Sequence, residues 1–217
     1  TSVSGAAWIS IAAPATGIDG AVAIIRLSGP EALSTACRIW RGNARPDAPG
    51  NLRRMLLGKV GNAPVLAVYM KGPHSYTGDD VVELQCHGGA AAAHAVLSAA
   101  LNAGCRMAEP GEFTFRAFVN GKLDLVQAEA VADVVRSGSD AALKLAENQL
   151  AGSLSRRLHE LYENINLFRS ECEARLDFPD EELDFSTGLP ESLQHARTLT
   201  EELLATFPAG AALKNGV

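Results

Sequence analysis

The spacing of hydrophobic positions changes near residue 120, and this change divides the chain into two parts. Before it, short apolar runs alternate with amphipathic segments, which is typical of strands and helices in a mixed α/β domain. After it, apolar residues recur every three or four positions, which is typical of helices. We therefore predict an α/β domain over residues 1–119 and a helical domain over residues 120–217.

Strands in the first domain are indicated by short apolar runs bounded by glycine, proline or asparagine. The run at 82–87 alternates strictly between apolar and polar residues, which places Glu83 and His87 together on its polar face. The run at 21–27 places Arg26 in line with aliphatic residues near a strand end, where the side chain either reaches solvent or meets an anion. The predicted strands are 6–13, 21–27, 54–60, 64–70, 82–87 and 105–108, the third and fourth forming a hairpin.

Two helices are predicted in the same domain. Pro30 suits the first position of a helix whose apolar repeat extends to Trp40. Gly88 and Gly89 lead into an alanine-rich helix over residues 90–101. The polar face of the preceding strand therefore ends at a helix N-terminus, whose free N–H groups can bind an anion.

The stretch 108–135 joins the two domains and is dense in turn signals, with a Pro-Gly and an Asn-Gly dipeptide. Glu112, Arg116, Lys122 and Asp124 fall within it. Such a stretch suits a site between two domains, and it equally suits a linker whose charges face water. The spacing of the residues leaves both interpretations open.

The helical domain is predicted to contain one long helix over residues 143–176, capped by Ser137 or Ser139 and bent at Gly152. A final helix is predicted over 190–207. Together they would form a partial helical bundle with an open face.

Between these helices, Pro179 ends the first, and an acidic loop follows over residues 177–185. Clustered carboxylates can bind a divalent cation, but acidic residues beside a proline in a loop are more often solvated. We therefore predict no metal site. The acidic residues concerned are Asp177, Asp180, Glu181, Glu182 and Asp184.

Composition narrows the class of protein. The 217 residues are 47% hydrophobic, which is ample for a buried core, and a net charge of -6 argues against broad, nonspecific binding of nucleic acid by this chain alone. The four cysteines show no CxxC spacing, so neither a zinc site nor a disulfide framework is indicated, and a reducing cytoplasm is the simplest setting. No apolar run approaches the roughly 20 residues that span a bilayer. The absence of an initial Met and the turn signal at the end lead us to expect a fragment.

A binding site fits the candidate residues better than a catalytic centre. The sequence contains no GxSxG, HExxH or GxxxxGK[ST] motif, and His87 alone is kept as a possible general base. Glu83 offers two acceptor oxygens, while Arg26 and Lys122 offer cationic donors. A matching ligand has a pair of donors at one end and carboxylates at the other. Pterins with a glutamate tail have this form.

Four segments, in order, resemble the N-terminal part of the MnmE (TrmE) family of tRNA-modification GTPases. They are SIAAPATGIDGAVAIIRLSGP, HSYTGDDVVELQCHGG, AEPGEFTFRAFVNGKLDLVQAEAVADVV and DFPDEELDF. The resemblance implies an α/β domain similar to the tetrahydrofolate-binding domain of the glycine-cleavage aminomethyltransferase. It implies that this domain dimerises and binds 5-formyl- or 5,10-methylene-tetrahydrofolate. Matched residue by residue, the family's folate contacts fall on Arg26, Glu83 and Lys122.

The resemblance also implies a biological role. In the family, a GTPase domain that uses GTP, magnesium and potassium is inserted into the helical domain. With the flavoprotein MnmG (GidA), the homodimer builds a carboxymethylaminomethyl or aminomethyl group on C5 of the wobble uridine of certain tRNAs. Because the sequence lacks a P-loop motif, we expect this chain to bind folate and dimerise without hydrolysing GTP. A freestanding folate-dependent one-carbon transferase and a dimerisation scaffold are the alternatives.

Overall fold

A computed structural model describes residues 9–177 and 188–215 of the chain. These residues form two compact units, divided along the chain between Leu123 and Asp124. The boundary after residue 119 stays a prediction of the sequence.

A seven-stranded sheet forms the centre of the first unit, in the order β3-β4-β5-β6-β2-β1-β7. Neighbouring strands are antiparallel except for β1 and β7, which are parallel. The predicted hairpin is confirmed, since Val60 of β4 pairs with Ala63 of β5. The strands are β1 (Ile11–Pro14), β2 (Val22–Ser28), β3 (Trp40–Arg41), β4 (Leu56–Val60), β5 (Ala63–Met70), β6 (Val81–His87) and β7 (Arg106–Met107).

The first unit also contains three helices, α1 (Ala32–Ile39), α2 (Ala90–Asn102) and α3 (Glu112–Val119). Helices α1 and α2 pack on one face of the sheet and build the core with alternate strand residues such as Ile25 and Leu84. The alternation predicted for β6 is confirmed: its apolar residues are buried, while Glu83 is half-buried on the opposite face. The polar side chains of β2 and β6 therefore lie on the face of the sheet away from α1 and α2.

The helix predicted from Pro30 to Trp40 is shorter than its apolar repeat suggested. It begins at Ala32, and the backbone is already extended at Trp40, which forms β3. The Trp40 indole is buried and donates a hydrogen bond to the Ala44 carbonyl. Pairing with Val60 of β4 holds Trp40 in the sheet, so a contact distant in sequence overrides the local helical pattern.

The second unit contains four helices within its described residues: α4 (Leu125–Arg136), α5 (Asp140–Leu150), α6 (Ser153–Asp177) and α7 (Gly188–Asn215). The prediction of one long helix is wrong, because α5 and α6 are separate and Gly152 between them has a left-handed φ of 79°. Ser139 caps α5 as predicted, whereas Ser137 ends α4 instead of beginning a helix.

Two further expectations concern the second unit. The last helix is longer than predicted and continues through Pro208. Residues 178–187, which include Pro179 and all of the predicted acidic loop except Asp177, lie outside the described residues. The partial bundle stays a prediction. No helix in the described ranges is both long enough and apolar enough to cross a membrane.

Candidate ligand-binding site

Arg26 and Glu83 form an ion pair on the exposed face of the sheet. The register of β2 and β6 places the two residues directly opposite one another. Both Nε and Nη2 of Arg26 donate to Oε1 of Glu83, at 3.0 and 2.8 Å, and the side chains are 24% and 17% exposed. Within the described part of the chain, Oε2 of Glu83 and Nη1 of Arg26 make no further hydrogen bond. The pair thus presents one acceptor and one cationic donor side by side.

Two aromatic rings lie against the guanidinium of Arg26. Its central carbon is 5.3 Å from the ring centre of Tyr76 and 5.6 Å from that of Phe113, both within the range of cation–π attraction. Tyr76 comes from the loop before β6 and Phe113 from α3. The Tyr76 hydroxyl is hydrogen-bonded to Thr114 Oγ1 at 2.9 Å, which ties the loop to the helix. Neither ring was predicted as part of the site, because their contact with Arg26 joins residues that lie far apart in the sequence.

Lys122 contacts the same loop at another point. Its Nζ donates to the Pro73 carbonyl at 3.0 Å, and Asn120 Nδ2 donates to the Thr77 carbonyl at 2.7 Å. Lys122 is exposed and forms no ion pair with any described residue. The structure therefore brings Arg26 and Glu83 into contact, and it places the Lys122 side chain against the loop that carries Tyr76.

Hydrogen bonds hold this loop, residues 71–80, against the sheet. The buried hydroxyls of Ser28 and Thr77 are 2.7 Å apart, and Asp80 accepts hydrogen bonds from the Tyr69 hydroxyl and the Gly72 N–H, each at 3.0 Å. Burial, together with the bond to Asp80, raises the pKa of Tyr69 to about 12. The tyrosine therefore stays a hydrogen-bond donor at neutral pH, and the loop has a defined position.

Glu112 and Arg116, on one face of α3, form a buried network. Arg116 is 1% exposed and donates to Glu112 Oε1 at 3.0 Å and to the Ile9 carbonyl at 2.8 Å. Arg106 also donates to Glu112, through both terminal nitrogens. For these two residues the interpretation as a linker facing water is wrong, because the carboxylate and guanidinium pack inside the first unit. Asp124 instead caps helix α4.

The charge state of Glu112 follows from these contacts. Burial alone would raise its pKa, but hydrogen bonds from Arg106, the Glu109 N–H and Arg116 outweigh that effect and lower the pKa to about 2. Burial raises the pKa of Asp79, which lies 3.9 Å from an Arg116 nitrogen. Glu112 is therefore ionised at neutral pH and compensates the charge of Arg116.

His87 and the Gly88-Gly89 turn lie further along β6. His87 lies four positions after Glu83, which is about 13 Å along a strand. The Gly88 and Gly89 N–H groups donate to the carbonyls of Ala21 and Ile18, so these two amides hold the preceding loop. The exposed His87 thus lies away from the Arg26 ion pair, and its role as a general base stays a prediction.

Two cavities in the structure lie away from the Arg26 ion pair. One cavity, of about 400 Å³, is lined mainly by apolar residues of α2, and a second, of about 500 Å³, is lined by residues around Trp40. Neither cavity includes Arg26, Glu83 or Lys122. No group of three His, Cys, Asp or Glu residues suited to a metal exists within the described ranges. The cysteines are free thiols.

The fold and the site define a sheet domain with a half-buried ion pair on its exposed face, followed in the chain by a separate helical unit. Residues 10–122 match the family described as GTP-binding protein TrmE N-terminus, and residues 125–217 match the MnmE helical domain. The chain therefore belongs to the MnmE (TrmE) family, and the resemblance seen in the sequence is confirmed.

Individual relatives are similar along most of this chain. The tRNA modification GTPase MnmE of Geobacter sulfurreducens is 43% identical over 92% of the chain and 45% of its own length. The protein of the same name from Symbiobacterium thermophilum is 44% identical over 96% of the chain and 48% of its own length. The chain thus spans about half the length of the curated relatives it matches.

Proposed function

We propose that this chain binds a tetrahydrofolate one-carbon donor, 5-formyl- or 5,10-methylene-tetrahydrofolate, through Arg26, Glu83 and Lys122. The observation that carries the proposal is the Arg26–Glu83 ion pair, in which both arginine hydrogen bonds end on one carboxylate oxygen. The second oxygen and the remaining arginine nitrogen stay available for a ligand. A pair of this kind is suited to a molecule that offers donors and acceptors together.

The donor set fits a folate chemically. A pterin ring presents neighbouring N–H donors, which a carboxylate such as that of Glu83 accepts in charge-assisted hydrogen bonds. Arg26 and Lys122 supply cationic donors for carbonyl or carboxylate oxygens of the same ligand. Partial burial of the ion pair strengthens these interactions relative to a fully exposed pair, since less water competes.

We further propose that the chain forms a homodimer and that it serves tRNA wobble-uridine modification in the cytoplasm. MnmG (GidA) and tRNA would be its partners, and the complex with MnmG would bind the tRNA. The relatives are tRNA modification GTPases by name, which supports this role. GTP, magnesium and potassium would belong to a GTPase domain, and we expect no GTP hydrolysis from this chain, whose sequence lacks the P-loop motif. The family match does not favour a freestanding transferase.

Alanine substitutions at Arg26, Glu83 and Lys122 test the folate site. Each should weaken binding of 5-formyltetrahydrofolate in calorimetric titration by about tenfold or more, since a lost hydrogen bond to a charged group amounts to about 1.5–3 kcal/mol. Arg157→Ala is the matched control: it removes an exposed arginine from an ion pair with Glu202, and binding should not change.

Sedimentation of the same variants separates the folate site from the alternatives. The proposal expects the dimer of the unsubstituted chain to persist in all four variants. Folate binding that survives every substitution would reject the assigned site. A dimer that binds no folate at all would support the scaffold alternative.

A further inference from the structure

We infer that Tyr76 and Phe113 are positioning residues that fix the orientation of Arg26 toward its ligand. This inference rests on the proposed folate site and deepens it. Its basis is the two ring contacts with the guanidinium, at 5.3 and 5.6 Å, from elements that lie far apart in the sequence.

Glu83 alone does not fix the guanidinium. In a bidentate pair, two nitrogens meet two different oxygens and the planar fork is locked. Here both nitrogens meet the same oxygen, so Arg26 can swing about Oε1 without losing the ion pair. Rings packed against the guanidinium limit that motion, because swinging would break the cation–π contacts.

The rings can do this because each is itself held in place. The Tyr76 hydroxyl forms a hydrogen bond with the side chain of Thr114, the residue after Phe113. This bond links the loop that carries Tyr76 to the helix that carries Phe113. The loop of Tyr76 is anchored to β2 through the Ser28–Thr77 contact, and α3 is anchored through buried Arg116. The loop and the helix that carry the two rings are thus both held in place by hydrogen bonds.

This arrangement restricts how a ligand reaches Arg26. The guanidinium carbon already lies over two rings, so the side chain has less free face on which a ligand ring could stack. The Nη1 edge of the guanidinium, which makes no hydrogen bond to Glu83, remains available to a ligand. The geometry thus selects a ligand that brings an oxygen acceptor, a carbonyl or carboxylate, into the plane of the guanidinium beside Glu83.

Leucine and aromatic substitutions test the positioning role in calorimetric titrations with 5-formyltetrahydrofolate. Tyr76→Leu and Phe113→Leu should each weaken binding by about five- to tenfold, in keeping with the loss of a partly desolvated cation–π contact. Phe113→Tyr keeps the ring and should stay within about twofold. Tyr76→Phe keeps the ring but loses the hydrogen bond to Thr114, so it should weaken binding less than Tyr76→Leu does. In an Arg26→Gln background, the leucine substitutions should have almost no further effect. Equal losses in that background would show that the rings act directly on the ligand and would overturn the inference.

A second readout tests the same point without any ligand. In protein labelled with 15N-arginine, the Nε–H resonance of Arg26 is assigned by its disappearance in Arg26→Gln. We expect a ring-shifted resonance in the unsubstituted chain and in Phe113→Tyr, and a shift toward the resonances of exposed arginines in each leucine variant. An unchanged resonance in folded leucine variants overturns the inference even if folate binds.

The two readouts keep the inference apart from the proposed function. A failure of the unsubstituted chain to bind folate would reject the folate site, while the Arg26 resonance would still decide the role of the rings. Each ring is substituted separately, so a folded leucine variant decides the role of the ring that it removes.

Discussion

The buried carboxylate of Glu112 makes the strongest prediction about stability. Replacing it with glutamine keeps the size of the side chain and removes its charge. Arg116, which is 1% exposed, then loses its ionic partner on the next turn of the helix, and Arg106 loses the same partner. The first unit should be clearly less stable at neutral pH as a result.

The size of the effect follows from the contacts that remain. Breaking a buried ion pair on one side costs about 3–5 kcal/mol. Arg116 keeps the carbonyls of Ile9 and Ser28 and the Asp79 carboxylate 3.9 Å away, while Arg106 is 44% exposed and regains water. We therefore expect the lower end of that range, about 3 kcal/mol. For a unit of this size, that loss lowers the melting temperature by roughly 10 °C.

The same substitution should change the acid dependence of stability. A carboxylate whose pKa falls from 4.5 in the unfolded chain to about 2 in the folded one contributes stability above pH 4.5 and loses it as the pH falls toward 2. The difference between the unsubstituted chain and Glu112→Gln should therefore be greatest at neutral pH. It should shrink steadily below about pH 4.5 and nearly vanish near pH 2.

Urea unfolding followed by tryptophan fluorescence is the assay. Trp40 is 5% exposed, and both tryptophans of the sequence precede residue 123, so the signal reports on the first unit. Asp47→Asn is the control, because it removes the charge from an exposed ion pair with Arg45 in the same unit and should change little. A Glu112→Gln variant as stable as the control, or a difference independent of pH, would refute the reasoning.

Two further predictions concern the backbone. Gly88→Ala places a methyl group 1.5 Å from the Gly20 carbonyl oxygen and should destabilise the first unit by about 3 kcal/mol or more in the same urea assay, whereas Gly17→Ala, with no atom within 4 Å of its added carbon, should be nearly neutral. A small loss of stability in Gly88→Ala would contradict the close approach of the Gly20 and Gly88 backbones. Asp124→Ala removes the capping box with Gln127 and should destabilise α4 by about 1 kcal/mol in thermal unfolding followed by circular dichroism. Asp124→Asn should retain most of that stability, and equal losses in both variants would argue against a capping role.

Elements with strong local patterns could be predicted from the sequence. Strand β6 and the β4–β5 hairpin followed from strict alternation and from the Gly61-Asn62 turn, because both patterns are set by neighbouring residues. The sequence predicted a bend at Gly152, but it did not predict that two separate helices, α5 and α6, meet there. Apolar residues continue at helical spacing across Gly152, so the periodicity gives no sign that its backbone turns left-handed.

The candidate site was predictable in part. Alternation placed Glu83 on a polar strand face and Arg26 in line with aliphatic residues near a strand end. Their contact depends on the register of β2 against β6, which pairs residues 57 positions apart. The buried Arg116 likewise donates to the Ile9 carbonyl, which lies 107 positions away in the sequence. A local pattern of charges and turns therefore could not distinguish a buried network from a solvated linker.

Calorimetric titration of the unsubstituted chain with 5-formyltetrahydrofolate tests the central claim most directly, with GTP and magnesium titrated in parallel. We predict micromolar or tighter folate binding, which is about -8 kcal/mol, and no heat from GTP. A folded chain that gives no folate heat at this level would contradict the assignment of Arg26, Glu83 and Lys122 to a folate site.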